Sequence, residues 1–284
     1  MSNLSAIRQS FYKSLLNLST PEGINASGKD DTFGCIFGRD SAITVLKILR
    51  AHEHHPSLDL LKVSERTLLT LIRLQGKETN RESGEEPGKF IHEFRNTKEK
   101  MERLLFMEKP WYVYPDNTIK NYDSIDSTPL TLIALYKYWQ ITEDSKFLAT
   151  ILPAVEAGLN WIITFGDLDR DVLLEYQLDP ERRHGGLSVQ SWTDSNEALE
   201  NENGQMPKYP ITPVETQAFA WLALRLWGDY YLTQKPIFGK KLLSQAKNLK
   251  KEFNQRFIIK DSGLYYGVQA LDGYKKPIKT YNLQ

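Results

Sequence analysis

With one cysteine, Cys35, in 284 residues, this chain has no partner for an internal disulfide. That scarcity fits a reducing compartment, and a cytoplasmic location is the expectation carried forward. Cys35 lies in the apolar run Phe33-Gly34-Cys35-Ile36-Phe37, where a small buried hydrophobe is a better reading than a nucleophile. Net charge is missing as well, because 36 Lys and Arg balance 36 Asp and Glu. Without a net field or a local basic block, neither nucleic acid nor an anionic membrane is an expected partner. No apolar run approaches the length of a bilayer span. Met1-Ser2-Asn3-Leu4-Ser5 lacks the basic start and apolar core of a secretory signal. Low-complexity linkers are also lacking, so residues 1–284 read as a single domain.

What remains is an ordinary globular composition, 40% hydrophobic and 25% charged, long enough to bury a large core. Aromatic residues are plentiful: 6 Trp, 14 Tyr and 12 Phe. Rings with a polar edge suit the C–H faces and hydroxyl rim of a sugar, but they suit a protein core equally well.

The apolar periodicity is mostly helical. Residues 3–18 place Leu4, Ile7, Phe11, Leu15 and Leu18 on one face and stop before Thr20-Pro21. Further helices are predicted over Ser41–Ala51, Leu58–Gln75, Thr128–Trp139, Lys146–Phe165, Thr212–Tyr231 and Ile237–Phe253, seven in all. Thr128-Pro129 and Thr212-Pro213 look like helix starts, with Glu215 as the capping-box partner of Thr212. A short strand in a hairpin is predicted over Gly263–Val268. Connections alternate between short ones and two very long ones, Gly76–Ser127 and Gly166–Ile211. Long connections of that kind usually carry function. Three antiparallel hairpins joined this way put both long connections on one face, together with the starts of the second, fourth and sixth helices. The expected fold class is therefore all-α, a stack of helical hairpins.

The chemically dense segments fall on that face. They are Phe37-Gly38-Arg39-Asp40-Ser41, His92-Glu93-Phe94-Arg95, Tyr122–Pro129, Gln190-Ser191-Trp192-Thr193-Asp194-Ser195 and Pro213-Val214-Glu215-Thr216-Gln217. Hydrolysis of a glycosidic bond needs a carboxylic acid to protonate the leaving oxygen and a second carboxylate opposite it. Each carboxylate also has a plain structural reading. Asp40, Asp126, Asp194 and Glu215 all stand where helix caps would, with Glu197 a box partner for Asp194. Four such positions on one face favour chemistry.

These segments resemble the glucosidase domain of glycogen debranching enzymes and bacterial amylo-α-1,6-glucosidases. The similar stretches are Gly34–Ser41, Tyr122–Leu130, Trp161 with Gly166-Asp167, Gln190–Ser195 and Ile211–Gln217. The Arg39-Asp40 pair and the Asp126–Leu130 segment also look like those of glucoamylases, and Trp192-Thr193-Asp194 looks like a trehalase segment. The resemblance implies an (α/α)6 toroid, incomplete here at about seven of twelve helices. It implies an inverting glycosidase acting on α-linked glucans or oligosaccharides, without cofactor or metal. Asp194 would be the general acid. Arg39 and Asp40 would hold hydroxyls of the terminal glucose. Asp126, Trp192 and Glu215 would line the site, with Glu93 and Arg95 in support. The general base of the family lies in a later hairpin and has no counterpart assigned in this sequence. The chain then reads as a fragment, as one part of a site completed by a second chain, or as a degenerate remnant. Weak sugar binding with little hydrolysis is the expectation for this polypeptide by itself.

Other readings stay open. A sugar epimerase on the same fold would need histidines or tyrosines at the long-loop face, where His92 and His184 are available without a supporting motif. A carbohydrate-binding or subunit module derived from a glycosidase would need no base at all. His52-Glu53-His54-His55-Pro56 lacks the spacing of a helical zinc site and sits at a helix end, so no metal is expected there. Trp139, Trp161, Trp221 and Trp227 fall within helices and read as core.

Overall fold

The computed structural model describes residues 3–278 apart from Asp194, 196–198 and Glu202, and without the side chains of Asn3, Leu4, Glu99 and Asp261. Among the described residues there are eight helices. They are α1 (Asn3–Leu18), α2 (Gly38–His52), α3 (Leu58–Arg73), α4 (Lys98–Leu105), α5 (Ser127–Thr142), α6 (Ser145–Thr164), α7 (Val214–Gln234) and α8 (Pro236–Arg256). Seven match the helices predicted from periodicity. The eighth, α4, lies inside the first long connection, where its one apolar face (Met101, Leu104) closes a small cluster with Trp111 and Ile119.

The helices form hairpins. α2, α5 and α7 pack side by side, while α3, α6 and α8 each return along the partner that precedes them. Burial explains the arrangement. α5 has ten buried residues spread around its circumference, as a helix flanked on several sides requires. α3 and α8 carry one apolar face each and leave the other to solvent. Trp227 of α7 donates its indole N–H to the Leu132 carbonyl of α5 at 2.9 Å, and Trp161 and Trp227 are fully buried core residues, as expected. α6 is long and apolar enough to cross a membrane, with mean hydropathy 1.4, which corrects the reading that no run approaches that length. Its apolar side (Phe147, Ile151, Val155, Leu159, Ile162) is instead built into the same core as α5 and α7.

Two predicted caps are replaced by tertiary contacts. Thr128 does not cap α5. Asp126 holds the N-cap position, and the Thr128 hydroxyl accepts the Phe90 N–H at 2.9 Å. Thr212 does not cap α7, because Thr212-Pro213 form a strand and Pro213 is the N-cap. Elsewhere ordinary caps hold: Ser57 accepts from Leu60, and Asp144 from Lys146 and Phe147.

Short strands tie the helix starts together. β1 (Ser19–Thr20) and β2 (Gly23–Ile24) form a tight hairpin after α1. β3 (Ile36–Phe37), β4 (Glu93–Arg95) and β5 (Ile119–Asn121) make an antiparallel sheet, with Phe37 opposite Glu93 and Glu93 opposite Asn121. That sheet sets the entries to α2 and α5. β6 (Thr212–Pro213) enters α7 and pairs with β9 (Ala270–Leu271), which pairs with β10 (Pro277–Ile278). β7 (Ile258–Asp261) and β8 (Leu264–Gly267) form the hairpin predicted near Gly263.

Candidate functional site

The inner helices α2, α5 and α7 begin on one face, and their first residues meet there. Gly38 opens α2 against the backbone of the first long connection: a Cβ at this position would stand 1.9 Å from the Ile91 carbonyl oxygen. That close approach seats Arg39 inside the face, 5% exposed. Arg39 Nε lies 3.4 Å from Asp126 Oδ2 at the start of α5, and Asp126 is fully buried. Arg39 Nη1 also donates to the Ser191 carbonyl at 2.9 Å, which links the second long connection to the pair. Ser124 Oγ donates to Asp126 Oδ1 at 2.6 Å and lies 2.7 Å from Ser127 Oγ.

Glu215, in the first turn of α7, joins this cluster. The backbone N–H groups of Glu215 itself and of Trp192 lie close enough to its carboxyl to lower its pKa. Burial holds its pKa above the usual carboxylate range, the Asp126 charge raises it further, and Arg39 works the other way. Trp192 itself is 57% exposed, next in sequence to Ser191, whose carbonyl Arg39 holds. Asp40, one residue from Arg39, is exposed at the rim. Asp194 lies outside the described residues, two positions after Trp192, and so do residues 196–198, which include its predicted box partner Glu197.

Glu93 and Arg95 stand further back. Both are buried in β4 and pair with each other, and Arg95 also donates to the carbonyls of Thr32 at 2.9 Å and Lys100 at 2.7 Å. Their place is a brace behind β3 and the entry to α2. Cys35 Sγ lies 3.9 Å from Glu93 Oε1, and burial, then the Glu93 charge, pushes its thiol pKa up to about 12. This is the buried, unreactive cysteine expected from sequence. His92 is buried beside Phe37, with ring centroids 5.4 Å apart. Burial, with Arg39, Arg95 and Lys89 nearby, lowers its pKa to about 3.

Sequence reading missed the contacts that lock the two long connections together. Arg182 grips Asp123 with Nη1 at 2.9 Å from both carboxylate oxygens, and both side chains are buried. Asn121 Nδ2 and the Leu187 N–H complete the Asp123 shell, each at 2.9 Å. Glu82 receives the backbone N–H groups of Arg183 and His184 and stands 2.7 Å from His184 Nδ1. Asp123 sat within a flagged segment, but Arg182 lies in a charged run without periodicity and carried no signal. Asp167, Asp169 and Asp171 also come within 4.8 Å of one another. Cationic side chains already meet them: Lys275 lies 3.1 Å from Asp169 and 3.2 Å from Asp171, and Arg256 2.7 Å from Asp171. His52 Nδ1 accepts the Ser57 N–H at 3.0 Å, so this member of the histidine cluster serves its turn.

With this geometry in place, comparison with known proteins addresses the fold. No protein-family model matches the sequence, and no curated protein matches it. Among solved structures, the chain is similar to a glucoamylase from Saccharomycopsis fibuligera, with TM-score 0.54 and 17% identity over 86% of this chain and 46% of that one. The fold is that of an α/α toroid. A metal-independent alpha mannosidase from Streptococcus pneumoniae matches with TM-score 0.48 and 13% identity, over 86% of this chain and 56% of that one. A cellobiose 2-epimerase from Spirochaeta thermophila matches with TM-score 0.49 and 13% identity, over 98% of this chain and 60% of that one. The chain thus spans about half the length of the toroids it matches. The starts of α2, α5 and α7 are where Arg39, Asp126 and Glu215 meet.

Proposed function

We propose that this chain carries the sugar-binding face of a glycoside hydrolase acting on α-linked glucans or oligosaccharides. One observation supports the reading above the others. Three helix starts far apart in sequence bring the buried Arg39 and Asp126 near the half-buried Glu215, and the exposed Trp192 directly follows Ser191, whose carbonyl Arg39 holds. An aromatic face next to fixed hydrogen-bonding groups is what a pyranose needs, with C–H bonds on one side and hydroxyls around the edge.

In this reading Arg39 and Asp40 hold hydroxyls of the terminal glucose. Asp126 fixes the Arg39 guanidinium, Trp192 stacks on the ring, and Glu215 lines the pocket. Glu93 and Arg95 brace the entry to α2. Asp194 is the general acid, in the same segment as Trp192. The site is that of an inverting enzyme, with acid and base roughly 6.5–9.5 Å apart around a water. No residue here is assigned as base, and the remaining hairpins of a full toroid, or a second chain, are proposed to supply it. The substrate relationship to glycogen-like branched glucans and the cytoplasmic setting belong to the same proposal. The histidines favour a hydrolase over an epimerase, since His92 is buried and His184 is held by Glu82.

The test is glucose release from an α-1,6-branched limit dextrin, with the anomer read by NMR and Asp194→Asn as control. Release of β-glucose that depends on Asp194 supports the hydrolase and places the second carboxylate among the chain's own, Glu215 first. Saturable oligosaccharide binding without release assigns the second reading, a binding module. A folded chain that neither binds nor hydrolyses oligosaccharides refutes both.

A further inference from the structure

The second long connection opens on four carboxylates at close spacing. Asp167, Asp169 and Asp171 bring one oxygen each within 4.8 Å of one another. Glu175 joins them through Lys275, whose Nζ lies 3.1 Å from Asp169 Oδ2 and 3.2 Å from Asp171 Oδ2 and pairs with Glu175 Oε1. The other cation in contact is Arg256, 2.7 Å from Asp171 Oδ2, and it is shared with Glu252 at 3.1 Å. Four carboxylates thus face two cations, one of them shared, and the cluster keeps a surplus of negative charge.

Acidic residues in a row do not make a site, and the buried oxygens are what point to a ligand. Asp167 Oδ1 and Glu175 Oε2 have no hydrogen-bond partner among the described residues, and both residues are more than nine-tenths buried. Each carboxylate is turned into the cluster, Asp167 toward Asp169 and Asp171, and Glu175 toward Lys275. Buried carboxylate oxygens ordinarily meet a donor or a cation. Burial raises the Asp167 pKa, and the Asp171 and Asp169 charges add to the rise, while the Val172 N–H opposes it. A further positive charge would relieve that repulsion. An all-carboxylate donor set suits a hard cation. Oxygens up to 4.8 Å apart can stand on opposite sides of a calcium ion, which holds each at roughly 2.3–2.6 Å, whereas magnesium holds its ligands at roughly 2.0–2.1 Å in a stricter octahedron. Lys275 is a replaceable occupant. It lies in the turn between β9 and β10, its side chain is 18% exposed, and its ammonium rides on a flexible four-carbon stem.

We propose that Asp167, Asp169, Asp171 and Glu175 bind one divalent cation of the calcium class, in exchange with the Lys275 ammonium. On binding, Lys275 turns out to solvent and the ion holds the start of the second long connection in its place. The inference uses none of the residues of the hydrolase reading and stands or falls without it.

Calorimetric titration of calcium chloride into the chelator-treated chain tests it, beside Lys275→Gln and Asp169→Asn. Asp169 is exposed and Lys275 partly so, which keeps both changes out of the core. Saturable binding of one ion is expected, with a Kd of about 0.1–1 mM. Lys275→Gln removes the competing ammonium and should bind calcium at least about tenfold more tightly, while Asp169→Asn should bind it at least about tenfold more weakly. Magnesium should bind the unaltered chain at least about tenfold more weakly than calcium. If one variant fails to fold, as read by circular dichroism, the other carries the test. No saturable calcium binding by the unaltered chain would overturn the proposal, even where Lys275→Gln binds, because Lys275 would then be the permanent occupant. So would a Lys275→Gln chain that binds no more tightly, an Asp169→Asn chain that binds equally well, or magnesium bound as tightly as calcium.

Discussion

Arg39 Nε and Asp126 Oδ2 face each other at 3.4 Å across the starts of α2 and α5, with both side chains out of solvent. An ion pair in that setting is a poor source of stability in itself, since each charge has lost its water. Removing one member is costly, because the other stays buried. Asp126→Ala should lower unfolding free energy by about 3–5 kcal/mol in denaturant titration. A loss under about 1 kcal/mol would show that the pair is not buried as described.

Arg182 and Asp123 should behave the same way, with a local consequence. Arg182→Met is expected to cost about 3–5 kcal/mol and to speed hydrogen exchange across residues 166–190. Arg81→Ala removes ion pairs on the same connection, but the Arg81 side chain is 50% exposed, so solvent screens it. That change should cost about 1 kcal/mol or less. Equal losses for the two variants would count against the lock assigned to Arg182.

His92 gives a pH signature. Its pKa falls from 6.5 to about 3 in the folded chain, so the unfolded chain takes up a proton that the folded one refuses. The stability this contributes is present above pH 6.5 and is lost as pH falls toward 3, at roughly 1.4 kcal/mol per pH unit. Unfolding midpoints measured from pH 7 to pH 4 should fall less steeply in His92→Gln than in the unaltered chain. Parallel curves would contradict the neutral, buried ring.

Glu215 has the opposite sign. Burial raises its folded pKa above the unfolded value of 4.5, so whatever it contributes is present below that value and lost as pH rises through the folded pKa. Glu215→Gln should therefore raise stability at pH 7, with the gain vanishing near pH 4, and should weaken saccharide binding at the same time. A variant less stable than the original at pH 7 would show that Glu215 serves the fold instead of a ligand.

Much of this architecture could be read from local pattern. Seven helices follow from 3.6-residue periodicity, and the clustering of Arg39, Asp126 and Glu215 follows from the alternation of short and long connections. The capping predictions failed for a physical reason. Thr128 and Thr212 have the side chains of good caps, but distant backbone claims them: the Phe90 N–H in one case and pairing with β9 in the other. A capping rule sees only neighbours in sequence. The same limit hid Arg182, whose partner Asp123 is 59 residues away. It also hid α4, whose short apolar face makes sense only against Trp111 and Ile119.

The central claim is that the face built by Arg39, Asp126, Glu215 and Trp192 holds an α-linked glucose unit. The most direct measurement is a titration of the purified chain with isomaltose and maltotriose, beside Trp192→Ala. That exposed residue can be removed within about 0.5 kcal/mol of the original stability, so folding does not confuse the result. Saturable binding that Trp192→Ala weakens at least about tenfold is the predicted result. A folded chain that shows no saturable binding, or binding unchanged by Trp192→Ala, would contradict it.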